Sequence, residues 1–225
     1  MAEEITGKDR LAPTSAPALP FAPVQYDRPY MDGFNNILRQ YFKTNDNVSN
    51  SLLDRSGARY LSTPTGNYLS TTDQTAAVIN TAYPVTLSGL AGTINTDIYI
   101  GSATANVFPN SEIYVKYPGI YNLQFSLQLN NADTQEHDVN IWLRKSGSNV
   151  VNSNTVVGVP QRHGGIDGHT VAAWNFFIEW DDVADYYELV WSTPDLDVKI
   201  DYKAAVSPAP ATPSVILTLH CISRL

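Results

Sequence analysis

Two histidines and an aspartate stand close together in the run His163-Gly164-Gly165-Ile166-Asp167-Gly168-His169. Two imidazoles and a carboxylate form a ligand set that zinc or a similar ion accepts. A fourth ligand is missing, and the glycines describe a mobile loop equally well. The expectation is therefore no bound metal and no cofactor, with His163, Asp167 and His169 as the residues that would ligate an ion. Asp181, Asp182 and Asp185 precede a strand pattern, and Asp195 and Asp197 flank a turn. Such loops can offer oxygens to Ca²⁺, but the EF-hand spacing is absent and solvated acidic loops are ordinary. The sequence holds no Gly-x-Ser-x-Gly elbow, P-loop or His-Glu-x-x-His. His137 and His220 fall in strand or turn contexts and read as structural. Cys221 reads as a small core hydrophobe. No catalytic residue is expected, and the chain is not read as an enzyme.

The elements that would position these residues are mostly strands. The chain has 225 residues, 43% apolar and only 16% charged. Abundant Ser, Thr and Asn with few charges suit an all-β protein with polar outward faces. The net charge is −8, so three copies would carry about −24. That sign argues against nucleic acid as a partner and against an anionic membrane surface. Cys221 is the single cysteine, so no intrachain disulfide can form, which fits a reducing compartment. The start Met1-Ala2-Glu3-Glu4 is acidic and has no apolar stretch of a secretory leader. No apolar run approaches the roughly 18 residues of a membrane span, so no membrane insertion is expected.

Residues 1–28 form a first segment. Pro13, Pro17, Pro20 and Pro23 exclude helix and central strand and leave extended or polyproline backbone. Leu19, Phe21, Val24 and Tyr26 give this segment apolar anchors. It reads either as a disordered tail or as an arm that is ordered along a partner. The second reading makes those four residues its docking points.

Residues 29–53 predict one helix. Pro29 suits a first helical turn. Met31, Phe34, Leu38, Tyr41, Asn45, Val48 and Leu52 then recur at alternating spacings of three and four. That is an a/d seam over about three heptads, roughly 33 Å of helix. Asn45 is a polar a-position residue of the kind that fixes register. Ile37 and Phe42 widen the stripe, which suits a trimeric stalk, and Gly33 weakens the helix. An amphipathic helix folded onto its own domain has the same pattern. So short a helix is marginal alone, and an oligomer would have to be held elsewhere too.

Residues 54–73, rich in Ser, Thr and Gly, read as a linker. From residue 74 to 225 the apolar period becomes two. Tyr121, Leu123, Phe125, Leu127 and Leu129 alternate with polar residues, as does the row Ala172, Trp174, Phe176, Ile178 and Trp180. Further rows are Tyr187, Leu189 and Trp191; Val198, Ile200 and Tyr202; and Val215, Leu217, Leu219 and Cys221. Shorter candidates are Ala77–Thr81, Asp97–Ile100, Ile113–Tyr117 and Val139–Lys145. Eight or more strands without intervening helices predict a sandwich or jelly roll. Phe177, Tyr186, Val190, Ile216 and Ile222 lie on the supposed outer faces, where a homo-oligomer would cover them. Trp142 opposes the row of Ile141 and Leu143, so it would stack on a neighbouring subunit or on a sugar.

Several of these runs carry a resemblance. Tyr117-Pro118-Gly119-Ile120-Tyr121-Asn122-Leu123-Gln124-Phe125-Ser126 and Ile141-Trp142-Leu143-Arg144-Lys145-Ser146-Gly147 resemble strands of C1q/TNF-like jelly rolls. With Gln74-Thr75-Ala76, Ala172-Ala173-Trp174-Asn175-Phe176, Tyr187-Glu188-Leu189-Val190-Trp191-Ser192 and Pro213-Ser214-Val215-Ile216-Leu217-Thr218, the set is similar to C1q-like β-domains of tailed-bacteriophage structural proteins. The resemblance covers residues 74–225 and leaves out the arm and helix. It implies a mainly β jelly-roll fold and a homotrimer with aromatic side chains packed about a three-fold axis. The expected function is a virion structural protein, a trimeric knob whose residues 1–28 bind capsid or tail proteins after assembly in the host cytoplasm. Head decoration, head fibre and tail fibre all remain open. The alternative is a receptor-binding module for a host surface glycan or protein.

Overall fold

A computed structural model describes residues 17–19, 21, 24–53, 63–92 and 95–224. The chain divides into two units, Met1–Ser62 and Thr63–Leu225. Most of the expected arm, residues 1–16 with 20, 22 and 23, lies outside the described residues, as does the stretch 54–62.

In the first unit one helix, α1, spans Arg28–Leu53. The Met31 amide donates to the Asp27 carbonyl at 3.1 Å, so the helical ladder opens at Asp27. Pro29 therefore sits inside the first turn, where its missing N–H costs no ladder bond. Gly33 has open space around its missing Cβ, so no close approach of backbone requires a glycine there.

Among the described residues the second unit contains fourteen strands. They are β1 (Thr65–Ser70), β2 (Gln74–Thr75), β3 (Tyr83–Pro84), β4 (Gly89–Leu90), β5 (Ile98–Ile100), β6 (Ile113–Val115) and β7 (Gly119–Asn131), followed by β8 (His137–Lys145), β9 (Ser148–Asn149), β10 (Thr155–Val159), β11 (Gly168–Trp180), β12 (Tyr187–Ser192), β13 (Val198–Ile200) and β14 (Val215–Arg224). One sheet runs β2-β13-β7-β14-β1-β4, with β11 on the other side of β7; the second runs β10-β8-β12-β6-β5, with β3 on β12 and β9 on β8. All pairings are antiparallel. The principal strands are β1-β14-β7-β11 facing β6-β12-β8-β10. Four strands over four, with the first and last neighbours in one sheet, is a jelly roll of the C1q/TNF type.

The core lies between the sheets, where the inward rows meet. Tyr121, Leu123, Leu127 and Leu219 are fully buried, as are Trp180 and Trp191 on the strands that pair with or face them. The Trp180 ring meets Tyr121 edge-on at 5.3 Å and Tyr187 at 4.4 Å. Aromatic pairs of this geometry add about 0.5–1.5 kcal/mol each beyond area burial. Trp180 Nε1 donates to the Asp185 carbonyl at 3.3 Å and the Tyr187 hydroxyl to the Glu179 carbonyl at 3.1 Å, so neither buried polar atom is stranded.

Several boundaries differ from the sequence expectation. The linker expected over residues 54–73 contains β1, which pairs with β14 from Thr65 opposite His220 to Ser70 opposite Val215. Tyr68 at its centre is fully buried and its hydroxyl donates to the Ile98 carbonyl at 2.7 Å. Residues 77–81 form bends and turns, not a strand, because the amides of Ala77 and Val78 both donate to the Tyr83 hydroxyl. Val190, expected on an outer face, is fully buried; it stands between Pro84 of β3 and Trp142 of β8 in the register. Trp174, expected in an inward row, is 43% exposed.

Candidate oligomer interface

The free face of the first sheet is built from residues that alternate with its core row. Phe177, Asn122, His220 and Thr65 lie side by side across β11, β7, β14 and β1. Two residues along, Asn175, Gln124, Thr218 and Asn67 form the next row. Ala173, Ser126, Ile216 and Leu69 form a third. The centre is polar, and the margins are largely apolar, with exposed Glu179 opposite Ile120. Phe177 is 70% exposed, with Val171, Ile216 and Ile120 also open to solvent. A β-bulge between Cys221 and Ser223 makes Ile222 an extra residue, and it too is exposed. Apolar side chains gathered on one free sheet face mark a contact surface more often than scattered ones do.

β11 sets the edge of this face, since β7 is its one strand partner among the described residues. Its first residue, Gly168, lies so close to the Pro160 carbonyl that a Cβ there would collide with it. β10 in the opposite sheet approaches the start of β11, where the Thr170 hydroxyl donates to the Gly158 carbonyl at 3.4 Å. With five residues against thirteen, β10 is too short to cover the rest. Phe176 stacks on Phe125 at 6.2 Å, whereas Trp174, one inward position earlier, is left uncovered.

In the helical unit, Phe34, Leu38, Tyr41, Asn45 and Val48 share a stripe and are half-buried, and Met31 and Phe42 are exposed. Tyr30 stacks on Phe34 at 6.3 Å, while the side chain of Leu52 lies outside the described residues. Of the arm residues, Leu19, Phe21, Val24 and Tyr26 are all exposed in the single chain.

The residues first suspected of metal ligation are not gathered. His163 and Ile166 exchange backbone hydrogen bonds of 2.9 and 3.0 Å around Gly164 and Gly165, both at positive φ. This tight hairpin turn is what the two glycines serve. Asp167 is taken up by Arg162 at 3.6 Å and by the Asn130 amide at 3.2 Å, and His169 Nδ1 lies 3.4 Å from the same amide. The trio that does converge among the described residues is Asp133, His137 and Asp195, with ligand atoms within 4.8 Å of one another. Sequence reading missed it because Asp195 arrives from the distant turn between β12 and β13. His137 Nε2 lies 2.7 Å from Asp133 Oδ2 and 3.8 Å from Asp195 Oδ2. Two ligands of one tetrahedral zinc stand about 3.3 Å apart, so the shorter separation is that of a hydrogen bond. That bond, with the Thr134 amide, holds the Asp133 carboxyl below the usual carboxylate range. The trio joins two neighbouring turns; Ala132 N donating to Asp197 O at 3.0 Å joins them again.

The acidic loops are likewise occupied by the chain itself. Lys145 lies 3.1 Å from Asp181 and 3.0 Å from Asp185, and the Ser146 hydroxyl donates to Asp185 at 2.9 Å. The Lys145 and Ser146 bonds lower the Asp185 carboxyl, and the Asp185 bond in turn raises Lys145. Asp182 accepts from the Ala184 amide and Asp195 from the Asp197 amide, both local turn bonds. His220 is exposed, with Nδ1 3.3 Å from the Thr65 hydroxyl, and Cys221 is buried in the core row.

No protein-family model matches the chain, and no curated protein sequence is similar to it. Among solved structures, murine APRIL, crystallised at pH 8.5, is similar over 71% of this chain and 99% of its own, at 9% identity and a TM-score of 0.41.

Proposed function

We propose that this chain is a non-enzymatic structural subunit of a tailed-phage virion, assembled as a homotrimer. Three jelly rolls form a knob, the three helices form a short stalk, and the arms of residues 1–28 hold the assembly to capsid or tail proteins. The observation that carries the trimer is the free face of β1-β14-β7-β11, whose apolar margin includes Phe177, Ile216 and Ile222. A homo-oligomer with a closed symmetry axis covers such a face on every copy at once. The helix supports self-association, because its a/d stripe would find partners in copies of itself. The virion assignment rests on the resemblance of residues 74–225 to phage C1q-like domains, an argument by analogy of fold and motif. Attachment would work by avidity, since three extended arms must release together.

Light scattering of the full-length chain tests the stoichiometry. A mass near three times 24.7 kDa is expected, and a monomer overturns the proposal. Removal of residues 1–28 tests the anchor: the truncated trimer should no longer join particles. Copy number then separates hundreds of head decorations from a few tail appendages.

A further inference from the structure

A second surface, on the free face of the other sheet, has a different chemistry. There a cavity of about 340 Å³ opens over β8 and β12. That volume falls within the roughly 300–1,000 Å³ typical of small-ligand sites. Its apolar part is the half-buried indole of Trp142 together with Val150. Its polar part is amide: Asn140, Asn149, Asn152 and Asn154, with the Ser192 hydroxyl at one side. None of these lining residues is ionisable. The next outward residue along β8, Arg144, is paired with Glu188 at 3.7 Å.

The site is built before any ligand arrives. Trp142 Nε1 donates to Asn149 Oδ1 at 2.8 Å, which fixes the indole plane. The Asn154 amide donates to Asn140 Oδ1 at 3.0 Å. Buried Ser153 staples the loop over residues 149–154 to β8; its hydroxyl donates to the Val150 carbonyl at 2.8 Å and accepts from the Leu143 amide at 3.0 Å. Asn152 has φ 61°, left-handed backbone that Asn adopts more readily than most residues. A loop tied down in this way loses little freedom on binding.

A sugar ring presents a C–H face to an aromatic plane and a rim of hydroxyls that both donate and accept. Trp142 offers the plane. After their internal bonds the Asn149 amide still has N–H groups to donate, and Asn154 still has a carbonyl to accept. Without a charged lining residue, nothing in the cavity compensates an ionised ligand for its lost hydration.

We infer that this cavity is a binding subsite for a neutral glycan, with Trp142 as its stacking platform and the asparagine amides reading the hydroxyls. The inference does not depend on the trimer, because one chain supplies the whole site.

The test is an array of neutral oligosaccharides, ending in hexose or N-acetylhexosamine, beside sialylated and sulfated ones, probed with the full-length chain. Binding to neutral members is expected. Trp142→Ala should weaken it by about tenfold, Trp142→Phe by less, because a ring remains to stack. Asn154→Ala, on an exposed loop, should weaken it about fivefold without changing the fold. That variant keeps the test decisive if Trp142→Ala unfolds. Binding to acidic glycans alone, no binding at all, or neutral binding that survives both alanine variants overturns the inference. So does a drop in oligomer mass for Trp142→Phe at unchanged thermal stability, since that places the indole between subunits.

Discussion

Phe177→Ala separates assembly from folding. The side chain is 70% exposed in the single chain. A phenylalanine presents about 200 Å², so about 140 Å² would be removed from water by a neighbouring copy. At about 25 cal/mol per Å², and allowing for what alanine retains, the loss is about 2–3 kcal/mol per subunit. Over three subunits that is about 6–9 kcal/mol, four to six orders of magnitude in the three-body equilibrium constant. The midpoint concentration varies as the square root of that constant, so it should rise about a hundredfold or more. Folding of the single chain should shift by no more than about 0.5 kcal/mol, as for other exposed positions. Light scattering on a dilution series reads the midpoint, and thermal melting at a fixed low concentration reads the fold. An unchanged midpoint in a trimeric wild type would refute the placement of Phe177 in the interface. A melting loss in the dissociated chain would refute the claim that this side chain serves assembly alone.

Other outcomes follow from the interior and the turns. Tyr68→Phe removes the buried hydroxyl bond to the Ile98 carbonyl; the cost should be about 1 kcal/mol and a few degrees in melting temperature by calorimetry. Gly168→Ala places a methyl against the Pro160 carbonyl, and should destabilise the jelly roll by about 3 kcal/mol or more in a urea titration. Gly33→Ala meets nothing within 4 Å and should stabilise α1 by up to about 1 kcal/mol, read by circular dichroism. Asp133 and Asp185 both have carboxyls below the usual range. A carboxyl depressed by folding adds stability above its unfolded value of about 3.9, and this is lost as pH falls through the folded value. Melting temperature should therefore fall on acidification below about pH 4, and His137→Ala should move the Asp133 titration back up by carboxyl NMR.

The sandwich was legible where the alternation was long. The five-residue row from Tyr121 to Leu129 is buried without exception, because a central strand between two partners allows one reading of period two. β1 was illegible because Thr-Gly-Asn-Tyr-Leu-Ser carries turn residues, and the pairing with β14 that makes it a strand is set by the far end of the chain. Trp174 and Val190 keep their expected directions but differ from their expected burial, for a shared reason. Period gives a side chain's direction, and exposure depends on what lies over it: short β10 leaves one open, and the β3–β12–β8 surroundings close over the other. The Asp133–His137–Asp195 trio and the amide-lined cavity are constellations of turns, whose convergence no local spacing records. Trp142 alone signalled the cavity, by standing opposite the row of Ile141 and Leu143.

The open side of β11 bears on timing. A freshly folded chain displays a thirteen-residue strand whose second backbone edge has no strand partner among the described residues, and which carries exposed Trp174 and Phe177 and Glu179 as its one acidic residue. Such an edge is a template for any passing strand, and charges that would blunt it are sparse. In the homo-oligomer proposed above, productive capture by sister copies would compete with misdirected aggregation from the moment of synthesis. Both speed up with concentration, so the yield of ordered oligomer is a matter of relative rates. Substitutions that slow closure of the oligomer should appear first as insoluble protein, before any change in the final assembly is visible.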